Sequence, residues 1–333
     1  MPPVPSAPSP TPALPRDMPV WEHAAACLRG QVGVVLLCVL QSEGSSPGRQ
    51  GFKMAVTATE LVGSIGGGIM EHKFVELARS MAGKDAAGPA LRHQVHRKEA
   101  AIDRSGLICS GEQWVLAFPL RAADLPMVEG VVQRLRTHTG GALRLSAAQG
   151  LQLLPAATGY SFRSGPAWEY SERLGFRDQV TIVGGGHVGL ALSRVLATLD
   201  VELTVLDDRP DLNTHQLNPY AHHKRTVAYD TLAQEIPPGP HQYVILMSFG
   251  YRTDLLALRQ LLAHPVRYLG VMGSAAKIRE LLATLRAEGA TAQQLARVRA
   301  PIGLPIHSRT PEEIAISVAA ELIQERNRPE QRG

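Results

Sequence analysis

One stretch, Val180-Thr181-Ile182-Val183-Gly184-Gly185-Gly186-His187-Val188-Gly189-Leu190, restricts the fold of this chain more than any other. Its apolar run reads as a short buried strand, its glycines as a turn, and the remainder as the start of a helix. Gly184, Gly186 and Gly189 fall on the G-x-G-x-x-G spacing. In that pattern the first glycine makes a tight turn, the second lets backbone N–H groups approach a phosphate, and the third packs helix on strand. The helix N-terminus, where His187 stands, adds unpaired donors and a positive dipole end. Leu190, Leu192, Val195, Leu196 and Leu199 continue at helical spacing. Val201 to Asp207 then reads as a second strand, and Asp207 lies about 20 residues on, where the fingerprint places an acid for a ribose hydroxyl.

The rest of the second half alternates strand and helix. Strands are expected over Gln179–Val183, Val201–Leu206, Tyr243–Met247 and Tyr268–Met272, and helices over His187–Leu199, Asp254–Ala263, Ala275–Ala287 and Pro311–Glu325. That alternation predicts a parallel sheet with crossover helices. Ser274 is placed as a helix N-cap. Thr310-Pro311-Glu312-Glu313 forms a capping box with Pro at the first helical position. Ligands of open parallel sheets lie beyond the carboxyl ends of the strands. The rule gathers Gly184–Gly189, Asp207–Arg209, Ser248–Arg252 and Gly273–Lys277 around one crevice, which makes Gly273, Ser274 and Lys277 candidate ligand contacts.

The first half is less regular. Met18–Arg29 has a helical apolar face, and Val34–Leu40 is an unbroken apolar run of strand length. The loop from Gln41 to Gly51 is rich in Gly, Ser and Pro. It is either an ordinary hairpin loop or an anion-binding loop with Ser45, Ser46 and Arg49 as donors. After a strand over Phe52–Thr57 comes Gly63-Ser64-Ile65-Gly66-Gly67-Gly68, just ahead of an amphipathic helix over Ile69–Met81. Consecutive glycines permit a nest of converging N–H groups, so Ser64, Gly66, Gly67 and Gly68 are candidates for holding an anionic or polar ligand edge. Glu71, in the first turn of that helix, either offsets the dipole or accepts N–H bonds from a heterocycle. Strands are read over Leu91–His96, Gln113–Leu120, Ala142–Ser146, Leu151–Leu154 and Tyr160–Arg163, with a helix over Asp124–Thr137. Cys109 lies in a glycine-flanked loop, as an exposed reactive thiol or a buried small residue.

At 333 residues the chain is expected to form two domains. The division is a tail over 1–17, a first domain over 18–163, a linker over 164–178, a second domain over 179–326 and a tail over 327–333. The aromatics of 164–178 are expected to pack at the seam. A formal charge of +4 without a Lys/Arg block does not imply nucleic acid. Three widely spaced cysteines and no C-x-x-C argue against a disulfide framework or structural zinc and fit a reducing cytoplasm. No apolar run approaches the ~20 residues of a membrane span. The Pro/Ala/Ser-rich start lacks an apolar signal core.

Four segments taken together resemble the XdhC/CoxI accessory proteins of xanthine dehydrogenase and carbon-monoxide dehydrogenase. They are Gly44-Ser45-Ser46-Pro47 through Met54, Gly63 through Glu71, Gly184–Gly189 with His187-Val188, and Ala300-Pro301-Ile302-Gly303-Leu304 through Arg309-Thr310-Pro311-Glu312-Glu313-Ile314-Ala315. The resemblance implies an α/β protein: an N-terminal α+β XdhC/CoxI-type domain followed by a Rossmann-like doubly wound parallel-sheet domain. It also implies a homodimer that binds molybdenum cofactor (molybdopterin, with or without a nucleotide extension). Such a protein protects the cofactor while a cysteine desulfurase installs its terminal sulfur, and hands it to an apo xanthine dehydrogenase-type enzyme. Cys109 matches the family's cysteine before Gly-Gly, which places it near molybdenum, where soft sulfur chemistry suits the metal. Two departures stand out. Cys109-Ser110-Gly111 replaces Cys-Gly-Gly, and Ser248-Phe249-Gly250-Tyr251 replaces a Thr-His segment, while Asp254 and the basic Lys277 are kept.

Two other readings compete. An NAD(P)-dependent oxidoreductase is supported by Gly184, Gly186, Gly189 and Asp207, but no proton-transfer His or Tyr–Lys pair follows. A pure interaction scaffold would leave both glycine turns without a ligand. Fold alone does not choose among them.

Overall fold

The computed structural model describes residues 11–44, 46–82, 88–95, 111–155 and 159–328. The chain divides into two compact units, Leu14–Gly175 and the unit built from Phe176 onward.

The first unit runs α1 (Met18–Arg29), β1 (Val34–Gly44), β2 (Lys53–Val56), β3 (Leu61–Gly63), α2 (Gly68–Met81), β4 (Ala90–Val95), β5 (Gly111–Leu120), α3 (Leu125–Thr137), β6 (Ala142–Ser146), β7 (Gly150–Leu154), β8 (Ser161–Arg163) and β9 (Glu169–Arg173). An antiparallel sheet is ordered β3-β2-β1-β5-β4, and a second sheet is ordered β7-β6-β9-β8. The apolar run of β1 is explained by burial on both faces. Val35, Leu37 and Val39 pack with Met70, Phe74 and Ala78 of α2. Val34, Leu36, Cys38 and Leu40 join α1, α3 and the second sheet in the other core. The stretch expected to be a linker is largely structural. β9 pairs with β6 on one side and β8 on the other, and Trp168 and Tyr170 belong to the first unit's core. The boundary is at Gly175/Phe176. Nor does the first unit begin at residue 18, because the Asp17 carboxylate receives the Lys53 ammonium at 3.0 Å.

The second unit runs β10 (Asp178–Val183), α4 (His187–Leu196), β11 (Val201–Asp207), α5 (Asn213–Gln216), β12 (His223–Thr226), α6 (Leu232–Glu235), β13 (Gly239–Leu246), α7 (Tyr251–Leu261), β14 (Val266–Val271), α8 (Ala275–Ala287), α9 (Ala292–Ala296), β15 (Val298–Arg299) and α10 (Pro311–Arg326). Its sheet is parallel throughout, ordered β12-β11-β10-β13-β14-β15. Counted from β10 this is 3-2-1-4-5-6, the doubly wound order whose direction reverses between β10 and β13. Val180 and Ile182 bury one face with α4 and α10. Val183, Leu206 and Leu246 bury the other with α7 and α8. The α8 and α10 caps form as read: Ser274 accepts the Lys277 N–H and Thr310 accepts the Glu313 N–H. No helix among the described residues is long and apolar enough to cross a membrane.

Candidate functional site

Each unit carries one glycine-built turn that opens a helix. In the first unit, Gly66, Gly67 and Gly68 all have positive φ, at 125°, 77° and 72°, a region in which glycine is favoured. They differ in what surrounds them. A Cβ on Gly66 would collide with the backbone of Pro47 and Gly48, so two loops are packed main chain to main chain there. A Cβ on Gly67 or Gly68 would meet nothing within 4 Å.

The anion that occupies the inner side of this turn belongs to the chain itself. Oε2 of Glu71 accepts the Ser64 hydroxyl at 2.6 Å, the Ile65 N–H at 2.9 Å and the Gly67 N–H at 3.0 Å. Burial works against the charge, but these bonds hold the Glu71 carboxyl below its usual range. The expected contact between Glu71 and a heterocycle is therefore narrowed to Oε1, because Oε2 ties the loop. What the turn leaves clear is the outer side of Gly67 and Gly68, where a Cβ would meet nothing within 4 Å.

The preceding loop offers less than its composition promised. The Ser46 hydroxyl is buried and donates to the Gly48 carbonyl at 2.9 Å. Arg49 is exposed and donates to the Gly44 carbonyl at 3.3 Å. Ser45 and Cys109 lie outside the described residues. Among the described residues no group of three or more His, Cys, Asp or Glu side chains gathers as a metal site.

The feature that sequence reading missed is buried beside this loop. Lys53, with a side chain 3% exposed, is held by Asp17 at 3.0 Å, by Glu172 at 2.6 Å and by the Gly51 carbonyl at 3.0 Å. Tyr170 donates to Glu172 at 2.7 Å. Burial opposes the lysine's charge, but the two carboxylates raise its pKa, while burial pushes Glu172 up. The cluster ties the segment before α1, β2 and β9 together. Its partners are too far apart in sequence for any local pattern to pair them.

In the second unit the three glycines of the fingerprint have three different reasons. Gly184 has φ 119°, and a Cβ there would strike the Met247 carbonyl at the end of β13. A Cβ on Gly189 would overlap the Gly184 carbonyl oxygen, so this glycine sets the approach of α4 to β10. Gly186, the N-cap of α4, has φ −68° and ψ −170°, and nothing lies within 4 Å of where its Cβ would be. Neither its conformation nor its packing demands glycine. His187 beside it is exposed. The middle of the turn is pinned, since the Gly185 N–H donates to Asp207 at 2.7 Å and the Gly185 carbonyl accepts from Thr214 at 2.6 Å.

Asp207 does not present a free carboxylate to a ribose. Oδ1 accepts the Arg209 N–H at 2.9 Å and Nε at 2.8 Å, while Oδ2 accepts the Gly185 N–H at 2.7 Å and an Arg209 terminal nitrogen at 2.9 Å. A carboxylate has about four lone-pair positions, and all are used. Burial opposes ionisation, but Arg209 and the Gly185 N–H hold Asp207 below its usual range.

The remaining crevice segments join through side chains. Ser248, after β13, donates to Oδ1 of the fully buried Asp254, whose Oδ2 pairs with Lys277. A Cβ on Gly184 would also lie 3.0 Å from the Ser248 N–H nitrogen. The four segments expected around one crevice are thus linked: turn to Asp207–Arg209, turn to Ser248, and Ser248 through Asp254 to Lys277. Ser274 spends its hydroxyl on capping α8, accepting the Lys277 N–H at 3.3 Å. A Cβ on Gly273 would meet the Lys277 side chain at 3.0 Å.

The model described as the XdhC Rossmann domain matches residues 180–322, and the model described as the XdhC and CoxI family matches residues 27–93. The uncharacterized protein YqeB of Escherichia coli is 25% identical over 312 residues, which cover 93% of this chain and 47% of that protein. A probable xanthine dehydrogenase subunit of Bacillus subtilis is 28% identical over 159 residues, covering 48% of this chain and 46% of that protein. The chain spans about half the length of the curated relatives it matches. The solved structure of a xanthine dehydrogenase from Bacillus halodurans has the same fold, with a TM-score of 0.65 at 21% identity, over 94% of this chain and 98% of that one.

Proposed function

The chain belongs to the XdhC and CoxI family, and on that premise we propose that it is a carrier of molybdenum cofactor. In this reading a cytoplasmic homodimer binds the cofactor and shields it while a cysteine desulfurase installs the terminal sulfur. It then passes the cofactor to an apo xanthine dehydrogenase-type hydroxylase. The observation that carries the reading is Gly186, a glycine that its own fold does not need, set at the open N-terminus of a ten-residue helix. Space kept beside unpaired N–H groups suits a phosphate, and the pterin cofactor ends in one.

Each unit offers its own candidate contacts, and each is tested by itself. In the second unit the N–H groups at the start of α4 suit a phosphate, with Lys277 among the residues of the same crevice. In the first unit the outer side of Gly67–Gly68 and Oε1 of Glu71 suit a polar, N–H-bearing edge. Cys109 is assigned to the neighbourhood of the metal. The cofactor, when bound, supplies the molybdenum centre that the client hydroxylase uses. An NAD(P)-dependent oxidoreductase is not favoured: the acid at the fingerprint position, Asp207, has no acceptor position left, and no proton-transfer His or Tyr–Lys pair follows the second unit's fingerprint in sequence.

The test is purification from a molybdenum-competent cell, followed by release of the ligand and mass spectrometry. A pterin in near-stoichiometric amount is expected. Protein that retains none, and does not slow oxidation of added cofactor, overturns the reading.

A further inference from the structure

The sheet face that α2 covers in the first unit is apolar along most of β5. Val115 and Ala117 lie in the core with Met70, Phe74 and Ala78. Gln113 is two residues before Val115 and so on the same face of the strand. It is 1% exposed, and its carboxamide oxygen is shut off from solvent and makes no hydrogen bond. Nearly all buried polar atoms in folded chains are paired, because an unpaired one costs about ten-fold or more in the folding equilibrium. An unbranched apolar side chain of the same size would fill this place without that cost.

The amide lies where two loops meet. A Cβ on Gly48 would be 2.2 Å from the Ile65 carbonyl oxygen and 2.9 Å from the Gln113 oxygen. Gly48 is not among the glycines of positive φ, so it is glycine because those atoms leave no room. A Cβ on Gly66, the residue after Ile65, would fall 2.3 Å from the Gly48 nitrogen. The loop that carries Ser46 and Arg49 and the loop that carries the glycine turn are therefore locked main chain to main chain. The Gln113 oxygen stands against Gly48 at that lock.

We infer that Gln113 is a positioning residue for the first unit's glycine turn, an inference that rests on the reading that this turn takes a ligand. Its oxygen is kept for a backbone N–H of the 46–49 loop, and the bond forms when a ligand occupies the clear side of Gly67 and Gly68. The contact of Gly48 with Gly66 carries the shift of one loop to the other. The empty chain thus holds an acceptor without a donor, and loading supplies the donor. A bond made only in the loaded state adds its whole worth to the affinity.

The experiment compares the parent chain with Gln113→Met, which keeps the length of the side chain and removes the amide. Both are purified from molybdenum-competent cells for pterin content, and both are stripped for urea unfolding. Stripped Gln113→Met is expected to unfold at the parent's urea midpoint or above it, while its pterin content falls about ten-fold. A merely structural residue would not separate stability from retention in this way. Hydrogen exchange adds a local readout, with cofactor released from a purified molybdenum hydroxylase added in excess. The Gly48 or Arg49 amide of the parent is expected to slow ten-fold or more on loading, and that protection is expected to be absent in Gln113→Met. A lower urea midpoint for stripped Gln113→Met means that the amide is already bonded in the empty chain, and overturns the inference. Pterin content equal to the parent's, or no change in exchange at the two amides when the parent is loaded, does the same. A parent that retains no pterin overturns the carrier reading and this inference with it, whereas a loaded parent beside an indifferent Gln113→Met overturns the inference alone.

Discussion

Two glycines three residues apart in one turn are expected to respond oppositely to the same methyl group. Gly189→Ala puts a Cβ well inside 3.0 Å of the Gly184 carbonyl oxygen, a backbone atom that cannot swing away. Helix α4 must then lift from β10. Overpacking of a fixed contact costs about 1–3 kcal/mol, and the backbone partner argues for the upper end. A unit of about 150 residues loses 2–4 °C per kcal/mol, so Tm falls by roughly 6–12 °C. Gly186→Ala has no such cost: φ −68° suits any residue and the Cβ enters open space. It trades a favourable N-cap for reduced unfolded-state entropy, each worth up to about 1 kcal/mol, so Tm moves by a few degrees at most. Its effect is on the ligand, because the methyl occupies the approach to the helix N-terminus, and retention of a phosphate-bearing ligand should fall about ten-fold or more. The assays are calorimetry of the full-length variants and ligand content after identical purification. Equal thermal shifts, or a Gly186→Ala protein that binds like the parent, would refute the separation of packing from ligand approach.

Lys53→Met should cost about 3–5 kcal/mol in urea unfolding, because it leaves Asp17 and Glu172 largely buried with no cation between them. Lys53→Met combined with Glu172→Gln and Asp17→Asn should recover part of that loss. The Glu71 carboxylate lies below its ordinary value of 4.5 in the folded chain, so the order it gives the turn is complete above that value. It is lost as pH falls through the lowered one. Hydrogen exchange at the Ile65 and Gly67 amides should speed up in acid relative to neighbouring amides, and Glu71→Gln should remove that pH dependence. The Cys38 thiol is fully buried and pushed up to about 12 by burial. It should therefore stay unmodified by maleimide at neutral pH until the chain is unfolded, and native labelling of Cys38 would contradict its placement.

What the sequence revealed and what it hid divide along one physical line. Patterns set by a single element were legible. The apolar run of β1, the alternation of the second half, the caps at Ser274 and Thr310 and the glycine spacing of the turn all follow from local geometry. Strands that contribute little apolar surface were not. β12 is His223-Lys224-Arg225-Thr226, exposed throughout at the sheet edge. β9 is Glu169-Tyr170-Ser171-Glu172-Arg173, whose one buried residue is Tyr170, so it read as linker. The site shows the same division more sharply. A sequence reports that a carboxylate is present but not whether its lone pairs are spent, and Asp207 and Glu71 are both occupied by the chain's own donors. It reports glycine but not the cause. Gly66, Gly184 and Gly189 are glycine because another backbone lies where the Cβ would be, Gly67 and Gly68 because φ is positive, and Gly186 for neither reason. Only a residue left over once conformation and packing have been accounted for bears on a ligand. By that criterion Gly186, the one glycine of the fingerprint that neither conformation nor packing requires, is the position at which the proposed carrier function is best tested.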